Sequence, residues 1–156
     1  KVGNKILIAG GGEIGTRTTD YLANNYPDKK IVIVEMRDML APEMILHERD
    51  PLIHRINSHP NVEILTKTKI LDAVSDGVII ERDGKTQKLT VDTVVVALGL
   101  EANIEAIRKL RNILRIDVTG LASPRSFIEK YVIGDALGQA GLFDAVQDAV
   151  SVTLKI

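Results

Sequence analysis

The 156-residue chain has no cysteine and no tryptophan, and aromatic residues make up only 3% of it. Without cysteine there are no disulfides, no thiolate metal sites, no iron–sulfur ligation and no thiol nucleophile within the chain. So few aromatics leave no stacking platform for nucleic-acid bases. Charge of one sign is missing too: 20 Lys and Arg stand against 21 Asp and Glu, a net charge of −1. That balance excludes a nucleic-acid binder held by phosphate contacts, and no basic cluster suggests a membrane-surface patch. No apolar run approaches the roughly 18 residues of a membrane span, and the first strand-like run, which begins at Lys5, is too short to read as a signal-peptide core. The expected location is the cytoplasm. The histidines are His47, His54 and His59. None has a helical i, i+4 partner, so no metal ligand is predicted. A G-x-S-x-G elbow is absent, which removes the usual hydrolase nucleophile. No catalytic side chain is predicted anywhere in the chain.

What is present fits one α/β domain, since about 150 residues suffice for a core of ordinary size. Residues 5–9 (KILIA) and 31–35 (IVIVE) are short apolar runs rich in β-branched residues. Such runs read as strands buried on both faces of a parallel sheet. Between them, Ile14, Thr18, Tyr21 and Leu22 recur at helical spacing over 14–25. Strand, glycine turn, helix and strand in about 30 residues make a βαβ unit. Residues 37–49 read as an irregular turn. Asp50 then reads as an N-cap with Pro51 at the first helical position, opening a helix to about Ser58. A third strand is predicted over 62–66. Short strands over 70–74, 78–82 and 87–90 follow, split by Ser75-Asp76-Gly77 and Asp83-Gly84-Lys85, which mark hairpins. Residues 93–97 (TVVVA) return to the buried parallel type. The tail holds a helical pattern (Ile104, Ile107, Leu110, Leu114), a loop over 118–126, a short strand over 130–134 and a closing helix over 141–154. The expected architecture is a three-layer, Rossmann-like α/β domain spanning 1–156. Its parallel sheet is ordered 3-2-1 with the Thr93 strand beyond strand 1, and an antiparallel meander is added. Residues 1–100 form the nucleotide-binding core and 101–156 a tail.

Gly10-Gly11-Gly12-Glu13-Ile14-Gly15 fits G-x-G-x-x-G. Gly10 permits the tight turn out of the strand, Gly12 lets a pyrophosphate approach the backbone, and Gly15 lets the helix pack closely on the sheet. The helix start offers N–H groups and a positive dipole end to phosphate. Glu35 stands 20 residues past Gly15, at the end of the second strand, where a carboxylate accepts ribose hydroxyls. Glu13 and Ile14 in the loop, and Met36 and Arg37 after the acid, complete this candidate set. A carboxylate at position 35 repels a 2′-phosphate and favours NAD(H) over NADP(H). Arg37 is the kind of residue that receives such a phosphate, so the cofactor choice has two readings.

The glycine loop, Ile33-Val34-Glu35-Met36, the meander, the run from Asp92 to Leu100 (DTVVVALGL) and Tyr131-Val132-Ile133-Gly134-Asp135-Ala136 follow one another in an order that resembles a known family. The chain is similar to the pyridine-nucleotide-binding domain of two-dinucleotide flavoproteins. It is most similar to the 2-enoate reductase, 2,4-dienoyl-CoA reductase and trimethylamine dehydrogenase type. The resemblance implies that a reduced nicotinamide cofactor docks here and passes hydride to a flavin. It implies Gly10, Gly12 and Gly15 at the pyrophosphate, Glu35 at the adenosine ribose, and Ala97, Leu98 and Gly99 beneath the middle of the cofactor. It further implies that Asp135 is the acid of a Gly-Asp motif that contacts FAD. Where relatives carry an acid two residues after the third glycine, this chain has Arg17. The domains that bind FAD and FMN and hold the iron–sulfur cluster are not in this sequence. The chain thus reads as a C-terminal piece of a larger flavoenzyme. Its partners would be the flavin-binding domains of the parent protein, with a homo-oligomer open. By itself it is expected to be catalytically silent. Two other classes stand beside this one: a regulatory domain that senses NAD(H) or ATP, as in potassium transport, and a degenerate domain that only packs against others.

Overall fold

The computed structural model describes residues 3–99, 105, 108, 109 and 142–154. The chain divides into two units, Lys1–Gly99 and Leu100–Ile156. In the first, a parallel sheet is built from β1 (Lys5–Ala9), β2 (Lys30–Val34), β3 (Val62–Leu65) and β7 (Thr93–Val96), in the order β3-β2-β1-β7. Ile8 sits beside Ile33 on one side and Val95 on the other, and Ile33 beside Ile64. This is the order expected from the sequence.

The continuous apolar runs of β1 and β2 follow from burial on both faces, because strand side chains alternate between faces. β7, expected to be of the same buried type, packs Val95 against the core but leaves Val94 and Val96 exposed. Ile6 and Ile8 of β1 and Ile31 and Ile33 of β2 join Leu22, Ala23 and Leu40 on the helical side. Leu7, Ala9 and Val34 face the other way and meet Leu65, Val78, Ile80 and Val91. The second layer of that core is an antiparallel sheet of β4 (Thr68–Val74), β5 (Gly77–Arg82) and β6 (Lys85–Thr90). Helices, parallel sheet and meander thus make three layers. Arg82 pairs with Lys85 across the two-residue turn Asp83-Gly84, whose φ angles of 52° and 71° are both positive. Those angles are what a type I′ hairpin needs, and they explain the Asp-Gly pair.

Helix α1 (Glu13–Asn25) joins β1 to β2, and α2 (Leu46–Ser58) joins β2 to β3. Both depart from the sequence reading. The stripe predicted on α1 was Ile14, Thr18, Tyr21 and Leu22, but Ile14 is 68% and Tyr21 60% exposed. The buried face is Gly15, Thr16, Thr19, Leu22 and Ala23. Small residues let the helix lie close to the sheet. The hydroxyls of Thr16 and Thr19 donate to the carbonyls of Gly11 and Gly15 at 3.1 and 2.9 Å, so burying them leaves no polar atom without a bond.

Helix α2 begins four residues before the predicted Asp50 N-cap. Its N-cap is Ile45, which offers no side-chain bond, and Pro51 lies inside the helix rather than at its first position. Early start and internal proline are compatible because Leu52 and Ile56 are buried against Ala41 and Met44. Tertiary packing therefore overrides the local proline penalty. Pro51 is exposed and cannot donate to the His47 carbonyl one turn back. Pro51→Ala is expected to stabilise the chain by about 1–3 kcal/mol, read as a higher urea midpoint with an unchanged slope.

In the second unit the closing helix α3 spans Leu142–Thr153, as the sequence indicated. The helical pattern through Ile104, Ile107, Leu110 and Leu114, the loop at 118–126, the strand over 130–134 and Asp135 lie outside the described residues. Among the described residues no helix is long and apolar enough to cross a membrane.

Candidate nucleotide-binding site

The order in which strands are added across the sheet reverses between β1 and β7, at their carboxyl ends. From β1 the chain runs outward through α1 to β2 and β3, and it returns through the meander to β7 on the opposite side. In open α/β sheets, a crevice forms at such a switch point. The glycine loop occupies it here.

The three motif glycines are constrained in three different ways. Gly10 has φ +104°, and a Cβ there would lie 2.3 Å from the Ala97 carbonyl oxygen. A Cβ at Gly15 would lie 1.9 Å from the Gly10 carbonyl oxygen. Both positions are closed by backbone. A Cβ at Gly12 would meet only the tips of two flexible side chains, Glu43 Oε1 at 3.0 Å and Arg37 Nη2 at 4.0 Å. Gly12 is also the N-cap of α1, in extended geometry with no side-chain cap. So the first and third glycines hold the loop together, and the second opens it toward the helix start. Ala97 is tied to this loop by its N–H, which donates to the Ala9 carbonyl at 2.8 Å. Leu98 and Gly99 follow, both exposed.

Glu35 comes just after β2 and is 5% exposed. Its backbone is clamped to the neighbouring strands: its N–H donates to the Leu65 carbonyl, and its carbonyl accepts from Thr68, each at 2.9 Å. Oε2 accepts the Gly11 N–H at 2.7 Å. Oε1 accepts the Arg37 N–H at 2.8 Å and the Arg37 Nε at 3.0 Å. Burial pushes the Glu35 carboxyl up, but the Arg37 side chain, the Arg37 N–H and the Gly11 N–H together hold it below the ordinary range. It is therefore an ionised carboxylate bonded directly to the glycine loop.

The structure brings Gly10, Gly12, Glu13, Ile14, Gly15, Glu35, Arg37 and Ala97 to one end of the sheet. Met36, 72% exposed, points to solvent beside them. Asp135 lies outside the described residues. Arg17, the departure at the third position after Ile14, pairs with Glu13 at 2.8 Å and with Glu48 of α2 at 3.0 Å. It links the two helices, which is a sufficient reason for its charge. Among the described residues no group of His, Asp and Glu is arranged to hold a metal ion.

Sequence reasoning missed Glu43. Its Oε1 accepts the Glu13 N–H at 2.6 Å, and its Oε2 lies 3.4 Å from Arg37 Nη1. Nothing in the spacing of residues 37–49 announces this. The segment is fixed by tertiary bonds: the Ala41 N–H donates to the Gly11 carbonyl at 2.7 Å, and Arg49 Nε donates to the Leu40 carbonyl at 2.8 Å.

Known proteins resemble this chain in sequence and in fold. The chain is 30% identical to a dihydrolipoyl dehydrogenase of Vibrio cholerae, over 89% of this chain and 30% of that protein. It is 22% identical to a metal reductase of Desulforamulus reducens, over 99% of this chain and 25% of that one. The chain thus spans between a quarter and a third of the curated relatives it matches. Among solved structures it is similar to a 2-naphthoyl-CoA reductase, with TM-score 0.67 and 25% identity over all of this chain and 22% of the other. A NAD-dependent persulfide reductase from A. fulgidus is 30% identical, with TM-score 0.57 over 85% of this chain and 25% of that one. Residues 1–151 match the family description "Pyridine nucleotide-disulphide oxidoreductase". With the parallel sheet, the switch-point glycine loop and the acid after β2 all in place, the chain belongs to the pyridine nucleotide-disulphide oxidoreductase family.

Proposed function

We propose that residues 1–99 bind NADH at the carboxyl ends of β1, β2 and β7 and present it to a flavin carried by other domains of the parent protein. The observation that carries this reading is the asymmetry of the glycine loop. Gly10 and Gly15 are sealed by backbone, while Gly12 faces side-chain tips that can move. That is a cradle which a Cβ would fill and a phosphate can enter. The donor set fits a dinucleotide. The first N–H groups of α1 and the positive end of its dipole bind pyrophosphate. Glu35 accepts ribose hydroxyls, held in place by Gly11 so that it needs no reorientation. Ala97, Leu98 and Gly99 line the β7 side.

When bound, the reduced nicotinamide supplies a hydride, and the protein supplies position and electrostatics. No side chain here is required as acid or base. Arg37 is engaged by both Glu35 and Glu43. The buried Glu35 carboxylate takes the N–H and Nε of Arg37 and offsets the guanidinium charge where a 2′-phosphate would sit, which favours NADH over NADPH. FAD or FMN belongs to other domains of the parent, and so does any iron–sulfur cluster, which this chain has no cysteine to hold. The likeness to a 2-naphthoyl-CoA reductase over the whole chain supports a parent of the enoate and dienoyl-CoA reductase type.

The test is a parallel calorimetric titration of the full chain with NADH, NADPH, ATP and FAD. NADH is expected to bind at least about tenfold more tightly than NADPH, a difference of about 1.4 kcal/mol. ATP binding ahead of both would replace this reading with that of a nucleotide sensor.

A further inference from the structure

Glu43 is an acid at a place built for an anion. Its carboxylate accepts the Glu13 N–H at the first turn of α1, at 2.6 Å. The same oxygen stands 3.0 Å from the position of a Cβ on Gly12. It therefore covers the one open glycine of the loop. Its second oxygen lies 3.4 Å from Arg37 Nη1, and Arg37 is in turn bonded to Glu35.

We propose that Glu43 is an internal stand-in for the cofactor's phosphate, a displaceable side chain that sets nucleotide affinity. The inference rests on the NADH-binding reading given above. Charge complementarity explains why Glu43 stays in place without ligand: a helix start with N–H groups left over attracts a carboxylate as readily as a phosphate. Packing explains why it is delivered there. Ala41 and Met44, on either side of Pro42-Glu43, are both buried, and Ala41 donates to the Gly11 carbonyl. The backbone at position 43 is thus fastened to the glycine loop, while the Glu43 side chain itself is about half exposed. Rotation of that side chain into solvent clears the Gly12 face without moving the buried anchors. The diphosphate of a dinucleotide cannot share the position with Glu43, because like charges at contact distance repel. Every binding event includes the breaking of the Glu43 to Glu13 bond.

The experiment compares the full chain with Glu43→Gln and Glu43→Ala. Two quantities are read: the dissociation constant for NADH and the backbone amide resonance of Glu13 in the unliganded protein. Both variants are expected to bind NADH about tenfold more tightly, the scale of one hydrogen bond to a charged group. In both, the Glu13 amide resonance is expected to move upfield as its charged acceptor disappears. Wild-type binding of NADH with no gain, or a loss, in the two variants overturns the role of Glu43 and leaves the binding site standing. An unmoved Glu13 resonance also overturns it. Failure of wild type and variants alike to bind NADH removes the site and the role together.

Discussion

Gly10→Ala and Gly15→Ala are expected to unfold the first unit at temperatures where Gly12→Ala leaves it intact. At Gly15 the new methyl would lie 1.9 Å from the Gly10 carbonyl oxygen, and at Gly10 it would lie 2.3 Å from the Ala97 carbonyl oxygen. Backbone on both sides cannot yield by a rotamer change. Overpacking of this kind costs about 1–3 kcal/mol. At Gly10 the left-handed φ of +104° adds about 1–3 kcal/mol more. Against a total stability of about 5–15 kcal/mol, that is a large share. For a unit of about 100 residues, each kcal/mol lowers the melting temperature by roughly 4–8 °C. Gly10→Ala is thus expected to melt at least about 10 °C below wild type.

Gly12 behaves differently because its φ of −68° suits alanine and its neighbours are side-chain tips. Losing glycine at an N-cap costs a few tenths to about 1 kcal/mol. The lower entropy of the unfolded chain returns about 0.4–1 kcal/mol. The two offset, so stability changes little. Binding does not escape. The methyl stands where pyrophosphate meets the backbone, and NADH affinity is expected to fall at least tenfold. Thermal melts and calorimetry on the three variants separate the glycines that hold the loop from the one that serves the ligand. Normal NADH binding by a folded Gly12→Ala chain would show that the loop is not used in this way.

The features that the sequence made legible share a physical cause. β1 and β2 are buried on both faces, so their apolar runs are unbroken and need no partner to be recognised. β7 carries the same kind of run, but only Val95 packs against a core. The turn at Asp83-Gly84 requires two positive φ angles, which few residue pairs supply. Glycine spacing and the acid after β2 are set by backbone geometry within one βαβ unit. What stayed hidden depends on contacts far along the chain. The buried face of α1 carries Thr16 and Thr19, whose polarity conceals it. Helix α2 starts without a capping side chain because Leu52 and Ile56 are packed from outside. Glu43 reaches Glu13 across 30 residues through a loop that Ala41 and Arg49 pin in place. No local pattern encodes those bonds.

Glu35 joins the fold to the site, and its replacement is expected to damage both. The carboxylate is buried and holds the Gly11 N–H and two donors of Arg37. Glu35→Gln keeps the shape but removes the charge, and its amide nitrogen presents a donor where one of those donors already points. The expected loss of stability at pH 7 is about 1–3 kcal/mol, the range for hydrogen bonds to a charged acceptor. Linkage fixes the pH dependence. The folded-state pKa of Glu35 lies below its unfolded value of about 4.3, so the unfolded chain takes up its proton first. The stabilisation is complete above the unfolded pKa and fades as pH falls through the lower folded one. Urea unfolding should therefore show the full gap between wild type and Glu35→Gln at pH 7. The gap should narrow steadily below about pH 4. A gap that stays constant into acid would mean that the charge of Glu35 contributes nothing and that only its shape matters. The same variant should weaken NADH by about tenfold or more, since the amide offers the ribose hydroxyls no charged acceptor and keeps only one of the two oxygens that Gly11 and Arg37 hold in place. A variant that lost stability but kept its NADH affinity would leave Glu35 as a brace for the glycine loop and would move the ribose contact elsewhere.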